Sequence, residues 1–380
     1  EGKMHVEVEN ARLTRMLAKV HEEGGRIAEA GDLLQEVQVE TYGSMDRKEK
    51  IDFILEQIRL CLIRRDYIRA SIVSNKIDSK KAFKGASKDK ALVELKMRYY
   101  GLMIQQHAHN KAYFNLAKAF FSMSETFAPV GTSEEEVADR AAAAAKAADE
   151  KAKKDKDKKK MTDAEKKTAE KAEQAAKEKA QAAEEEAKAA AMDESGADAA
   201  ELASKRSVAL EKCVVYLCLA PYTNEVSDLM GRLKTVTMYS KVLETLPLST
   251  ELLRLYTTKE VIAWPLTCDS AVQPMLVTCV AEEKDSTDAA ATLVVRQKDL
   301  KHSVVEANIR TIGGYYSRIT SQRLCTLLSL EPEDAEKILS DMVTSGALYA
   351  RIDRPAGIIT FAAPKRAVDV LDEWGTDITA

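Results

Sequence analysis

Two histidines two positions apart, His107 and His109 in the segment HAH, are the first candidates for metal chemistry in this sequence. A metal-dependent hydrolase built on a His-x-His pair also needs a hydroxyl and a carboxylate at fixed distances further along. Those positions hold Ala117 and Phe120. Because two imidazoles supply only half of a tetrahedral zinc site, the sequence predicts that this pair binds no metal.

Other catalytic templates also fail. The segment GGRIAEAGD resembles a phosphate-binding loop in its glycines, but it lacks the Lys-Ser/Thr that grips phosphate and Mg²⁺. The six cysteines form no CxxC pair, and most of them lie in apolar helical patterns, as reduced thiols in a protein core do. No histidine neighbours a cysteine in a way that indicates a nucleophile. We therefore expect a protein without catalytic activity, cofactor or metal.

Composition argues against binding to nucleic acids or membranes. The formal net charge is −4, from 57 basic and 61 acidic residues, so no global attraction to a phosphate backbone is expected. No apolar run approaches the roughly 20 residues that a membrane-spanning helix needs. The reduced cysteines suit the cytoplasm and nucleus.

The first 125 residues have the pattern of repeated helix pairs. In DRKEKIDFILEQIRLCLIRR the apolar residues recur at helical spacing, with charges on the other face. Second helices of pairs begin after polar turns near residues 25, 66 and 110, and Asp66 is a plausible N-cap. A period near 40 residues is typical of a TPR-like α-solenoid, so residues 1–125 are predicted to form one.

Residues 126–204 have a different composition, dominated by Ala, Lys, Glu and Asp. These residues favour helix, but without large apolar side chains they have no face to bury. We expect an inserted segment that is either a solvated helix or disordered. Two alternative roles for its KAKKDKDKKK cluster are a localisation signal and a nucleic-acid-binding tail. The interleaved acidic residues disfavour both.

Helical patterns return at residues 205–316, where 265–295 lacks a clear period and is predicted to be a loop. Residues 317–364 have the order strand, helix, helix, hairpin that is typical of a winged helix, and 365–380 form a C-terminal tail. Ser321 is the expected cap of the first of these helices, Pro332 the first turn of the second, and Gly346 its end. The fold class is therefore mainly α: a helical-hairpin solenoid followed by a winged-helix module.

Many winged helices bind DNA, but this one has the wrong charges. Its second helix carries four acidic residues against Lys337, and Asp353 separates two arginines of the hairpin. A DNA-binding surface needs clustered Lys and Arg, so duplex binding is not expected. A winged helix can instead present its sheet edge to a neighbouring subunit. The predicted interface residues are Leu348, Tyr349, Arg351, Asp353, Arg354 and Ile358.

Several segments strengthen this interpretation by resemblance: LLQEVQVETYGSMDRKEKIDFILEQIRLCL, KDLKHSVVEANIRTIGGYYSRIT and DRPAGIITFAAPK. They are similar to the PCI-domain family of the proteasome lid, the signalosome and translation initiation factor three. The Ala/Lys/Glu insertion is not a feature of that family.

The resemblance implies a non-catalytic scaffold whose winged helix stacks edge to edge with those of other lid subunits. The expected partners are the other PCI subunits of the proteasome lid and its deubiquitinase subunit, in cytoplasm and nucleus, without nucleic acid or membrane. Two alternatives stay open: a related signalosome PCI subunit, and a nucleic-acid-binding regulator that uses the Lys-rich insertion and the winged helix.

Overall fold

A computed structural model describes residues 6–84, 89–128, 196–277 and 286–361, together with Trp374. The chain divides into two compact units. The first comprises residues 1–106 and 118–210, and the second comprises residues 107–117 and 211–380. Most of the predicted insertion, residues 129–195, lies outside the described residues, as do residues 278–285 and most of the predicted C-terminal tail.

The N-terminal part of the chain is helical throughout its described residues, apart from short connections. Asp66 accepts a hydrogen bond from the backbone N–H of Arg69, which confirms it as the N-cap of a helix, and Asp46 caps the helix before it. The helices are α1 Glu7–Glu23, α2 Ile27–Gln35, α3 Arg47–Ile63, α4 Tyr67–Ser74, α5 Ser79–Ala82, α6 Lys90–His109 and α7 Tyr113–Thr126, with a 3₁₀ turn at Val39–Thr41.

The same turn joins the helices at all three predicted repeat positions. Gly25, Arg65 and Lys111 have φ of 76°, 58° and 51°, the left-handed conformation. In each turn this residue and the next donate backbone hydrogen bonds to carbonyls of the preceding helix, as in a Schellman motif. The structure therefore shows one helical-hairpin design repeated three times, which the helical periodicity predicted.

We expect Arg65→Gly to stabilise the first unit, because a left-handed arginine carries backbone strain that glycine avoids. Arg65 is exposed, and among the described residues its side chain makes no hydrogen bond or ion pair that the substitution would remove. The free energy of unfolding should rise by about 0.5–1 kcal/mol. Gly25→Ala makes the opposite change at the equivalent turn position, so it should lower the free energy of unfolding by about the same amount. Chemical denaturation checks both, and destabilisation by Arg65→Gly would contradict the strain argument.

The core of the first unit includes the buried amide of Gln57 among apolar side chains. Phe53, Leu55 and Ile58 of α3 are all at most 1% exposed. On the same helix, Gln57 donates from Nε2 to the carbonyl oxygens of Leu34 and Val37, at 2.6 Å and 3.0 Å. These bonds satisfy two carbonyls at the end of α2 and so tie the first hairpin to the second.

The second unit is also mainly helical. One correction concerns residues 265–295, predicted as a loop: they contain all of α12 and the start of α13. The apolar period is weak there because Pro274 interrupts α12 and small or polar residues open α13. The helices are α8 Gly196–Leu219, α9 Asn224–Thr235, α10 Thr237–Leu243, α11 Pro247–Thr257, α12 Asp269–Val277 and α13 Ser286–Tyr315.

Two helix starts differ from the expectation. Helix α8 begins at Gly196, inside the segment predicted to be inserted as far as residue 204, and its residues 200–205 are exposed. Helix α9 is capped by Thr223, whose hydroxyl accepts from the backbone N–H of Val226, rather than by Asn224 or Ser227. Three neighbouring residues can all cap a helix, so the sequence pattern alone does not choose among them.

Helix α13 organises the second unit through buried polar contacts. The side chain of Asn308 accepts from the N–H of Ile262 at 2.7 Å and donates to the carbonyl of the same residue at 2.8 Å. The hydroxyl of Ser303 donates to the carbonyl of Cys218 at 2.6 Å. Tyr113 donates to Asp299 at 2.5 Å. These bonds hold three separate segments against one helix.

The winged-helix module follows α13. Its elements are β1 Arg318–Thr320, α14 Ser321–Leu328, α15 Pro332–Thr344, β2 Arg351–Asp353 and β3 Ile358–Thr360. The strands form one antiparallel sheet in the order β1-β3-β2. Thr320, rather than Ser321, caps α14, while Pro332 opens α15 and Gly346 follows its end at a φ of 73°, as predicted. The fold class, a helical solenoid with a winged helix, is thereby confirmed.

The module has its own apolar core. Ile309 and Ile312 of α13 pack with Leu324 of α14, Leu339 of α15 and Ile359 of β3. Among the helices described, none is long and apolar enough to cross a membrane.

Candidate subunit interface

The two histidines lie at the end of α6 and do not form a metal site. Residues two apart on a helix point to nearly opposite sides, so one ion cannot contact both imidazoles. His107 is half-buried, whereas His109 is exposed and lies 3.3 Å from the side-chain oxygen of Asn110. Ala117 and Phe120 are buried. No group of three potential ligands is found among the described residues.

Burial holds the pKa of His107 below its ordinary value. The unfolded chain therefore takes up this proton first, and the stability of the fold falls as the pH drops below about 6.5. We expect the stability of the His107→Gln variant to fall less than that of the parent chain between about pH 7.5 and about pH 5.5. Melting temperatures measured across this range, with His109→Gln as the control, test the expectation. An unchanged pH slope for His107→Gln would contradict it.

The described cysteines lack the environment of a reactive thiol. Cys61, Cys213 and Cys218 are buried, and burial raises the pKa of each thiol. The pKa of Cys268 and of Cys325 is raised as well. A nucleophilic cysteine needs a lowered pKa, so these thiols are inert structural groups. Cys279 lies outside the described residues.

The outer edge of β2 is a free sheet edge in the described part of the chain. The amide of Phe361 donates to Ser317 at 2.9 Å, and that of Ser321 donates to Gly357 at 2.8 Å. Bonding directions alternate along a strand, so Ile358 and Thr360 turn their backbone groups towards β2. The residues opposite them on β2 turn their backbone groups towards β3. The N–H and C=O of Ile352, which lies between those two residues, therefore point to the outer edge of the sheet.

The structure places five of the six predicted interface residues in three settings. Arg351 and Asp353 are exposed on the outer face of the sheet, next to Ile358, which is 36% exposed on β3. Tyr349 is exposed in the segment before β2. Leu348 is partly buried and packs against the module's core, beside Gly313 and Phe361. Its contribution is therefore to the fold of the hairpin more than to its surface.

The sixth residue, Arg354, ties the hairpin to α15. Its Nε donates to Glu336 at 2.7 Å, although the arginine side chain is 79% exposed. An ion pair this exposed adds little stability. The ion pair fixes the direction of the hairpin tip and neutralises one of the hairpin's two arginines.

Helix α15 presents acidic side chains to solvent. Glu333, Asp334 and Asp341 are exposed, and Lys337 is the exposed cation among them. A helix with this charge repels a phosphate backbone. The geometry thus favours contact with another protein through the sheet edge over insertion of α15 into a DNA groove.

Comparison with known proteins agrees with this architecture. The sequence model of the PSMD12/CSN4 N-terminal family matches residues 1–129, and that of the PCI domain matches residues 287–363, which include α13 and the winged helix. The 26S proteasome non-ATPase regulatory subunit 12 homolog A of Arabidopsis thaliana is 32% identical over 99% of this chain and 71% of its own length. The chain belongs to the 26S proteasome subunit 12 family.

Other members of the subunit 12 family align over the whole chain. The regulatory subunit RPN5 of Saccharomyces cerevisiae is 31% identical over 100% of this chain and 66% of its own length. The non-ATPase regulatory subunit 12 of Dictyostelium discoideum is 30% identical over 100% of this chain and 65% of its own length. The predicted resemblance to PCI proteins is thereby confirmed.

Sequence reasoning missed two features of this subunit 12 family member. It predicted the hairpin as a surface. It did not predict that the backbone N–H and C=O of Ile352 point to the outer edge of the sheet, because that direction depends on the strand register. It also gave no role to Arg310, which stacks on Tyr222 with 3.7 Å from the guanidinium carbon to the ring centroid. These residues are 88 positions apart in the sequence, so no local signal connects them.

Proposed function

We propose that this chain is a non-catalytic structural subunit of the 26S proteasome lid, which scaffolds lid assembly through its PCI winged helix for ubiquitin-dependent protein degradation. The observation that carries the proposal is similarity to proteasome regulatory subunits over 99–100% of this chain, together with a winged helix that offers a free sheet edge beside acidic helix α15. The proposed partners are other PCI subunits of the lid and the lid deubiquitinase, in cytoplasm and nucleus.

The proposed contact adds a partner's strand to β2. Because β2 has three residues, its edge offers few main-chain bonds, and the exposed side chains of Arg351, Asp353 and Tyr349 must supply much of the specificity. Single-strand contacts of this kind are effective in a ring or horseshoe, where each subunit is held on two sides. A structural role of this kind needs no nucleophile or metal, in agreement with the inert thiols and the separated histidines.

Affinity purification of the tagged chain, with identification of its partners by mass spectrometry, tests the function. Lid subunits should co-purify in near-equal amounts. The family model that covers residues 1–129 also carries the name CSN4, so recovery of a deneddylating complex instead would favour a signalosome subunit. Salt-dependent binding to duplex DNA that is lost on deletion of residues 134–204 would favour a nucleic-acid-binding regulator.

A further inference from the structure

Arg310 is a half-buried cation without an anionic partner in the described part of the chain. Its Nε is buried and has no hydrogen-bond acceptor there. Glu306, one helical turn earlier on α13, is the nearest acidic residue in sequence, but its carboxylate pairs with His302 at 3.2 Å. The contact that the guanidinium does make is with the Tyr222 ring, at 3.7 Å. Glu306 still contributes a favourable charge interaction, so the fold holds this guanidinium in place with no carboxylate hydrogen-bonded to it in the described part of the chain.

Keeping a partly desolvated guanidinium unpaired costs free energy. Burial is the main influence on Arg310 and lowers its pKa. The stack against Tyr222 offsets some of that cost and fixes the plane of the guanidinium. A planar fork that is held in one orientation but lacks an acceptor is pre-organised for a carboxylate, which it can bind through two parallel hydrogen bonds.

A cavity of about 360 Å³ begins at the two residues that follow Arg310 on α13. Thr311 and Ile312 line it together with Val261, Tyr315, Tyr316 and Leu327, and with the charged residues Lys259 and Glu260 at its rim. The hydroxyl of Tyr315 donates to the carbonyl of Lys259 at 3.0 Å, which holds its ring over the cavity although the residue is 69% exposed.

Aromatic side chains are unusually exposed around the cation and the cavity. Tyr222 is 41% exposed and Tyr316 is 39% exposed. Tyrosine and arginine are the residue types that contribute most of the binding energy at protein interfaces. We call the set Tyr222, Val261, Arg310, Tyr315 and Tyr316 the Arg310 surface.

We propose that the Arg310 surface binds a partner polypeptide, which places an Asp or Glu carboxylate on Arg310 and an apolar side chain in the neighbouring cavity. This inference rests on the proposed function, because it identifies a second contact of the subunit within its assembly, separate from the edge of β2. Charge complementarity selects the carboxylate, and the shallow aromatic cavity selects a side chain over a small soluble ligand.

The proposed role of Arg310 predicts that its replacement affects partner binding and stability differently. Where an arginine stabilises a fold, its replacement lowers the melting temperature. Because no carboxylate is hydrogen-bonded to Arg310 in the described part of the chain, Arg310→Met should leave the melting temperature of the isolated chain unchanged or raise it, while weakening partner binding. The control is Arg323→Met, which removes an exposed cation from α14 without touching the surface.

The test places a photo-crosslinking phenylalanine derivative at Tyr316 in the tagged full-length chain, expressed in cells. The crosslinked peptide should carry an Asp or Glu within a few residues of the attachment point. Arg310→Met should reduce the crosslink yield roughly tenfold and Arg323→Met should not. Exchanging charges, with Arg310→Glu in this chain and arginine at the partner's acidic position, should restore the yield.

Three outcomes would overturn the inference: a crosslink to residues 362–380 of the same chain, equal yields for both methionine variants, or a lower melting temperature for Arg310→Met alone. Failure of the proposed function is distinguishable from these. If no lid subunit co-purifies but the crosslink depends on Arg310 and reaches an acidic segment of another protein, the surface stands and the assembly is a different one.

Discussion

Asn308→Leu should lower the free energy of unfolding of the second unit by about 2–5 kcal/mol. The variant loses two buried hydrogen bonds and leaves the N–H and C=O of Ile262 without partners, where both residues are at most 5% exposed. An unpaired buried backbone group costs more than the net value of the bond it made. Leucine branches at Cγ as asparagine does but is bulkier, so overpacking adds to the loss of the two hydrogen bonds.

Hydrogen exchange gives the local measurement for this prediction. Peptides containing residues 258–266 should exchange faster in Asn308→Leu, because that segment is held to α13 through Ile262. Lys301→Leu introduces the same side chain at an exposed position of the same helix and should change stability by no more than about 0.5 kcal/mol. Unchanged exchange at 258–266 would show that other contacts hold the segment.

The double variant Arg351→Glu with Arg354→Glu should reduce recovery of a neighbouring subunit by at least about tenfold. It reverses both hairpin charges at the proposed sheet-edge contact, so the partner's groups would face like charges. The loss of stability should be under about 1 kcal/mol, because Arg351 is exposed and the Arg354–Glu336 pair lies in solvent.

A matched variant separates position from total charge. Arg323→Glu with Lys337→Glu changes the net charge by the same amount on exposed positions of α14 and α15, and it should retain the partner. Quantitative co-purification and melting temperatures of the isolated proteins provide the two readouts. If the hairpin variant melts much lower and loses its partner to the same degree, the arginines serve the fold and the interface lies elsewhere.

Local patterns determined the element types in most of the chain. Apolar spacing predicted α3 and the second half of α13, and Asp66 and Pro332 marked helix starts because capping and proline geometry act within a few residues. The same reasoning failed at residues 265–295, where Pro274 and small residues weaken the period although the helices are held by packing against the second unit's other helices.

The sequence by itself determined that this protein is a helical-hairpin array followed by a winged helix, since periodicity and turn chemistry are local properties. Only the tertiary structure decided which polar and charged groups have hydrogen-bond partners. It showed that Asn308 bonds both backbone groups of Ile262, and that the backbone groups of Ile352 point to the outer edge of the sheet. It also showed that Arg310 stacks on Tyr222, with no hydrogen-bonded carboxylate among the residues that the structure describes. Partners far apart in sequence are chosen by packing, which no local pattern encodes.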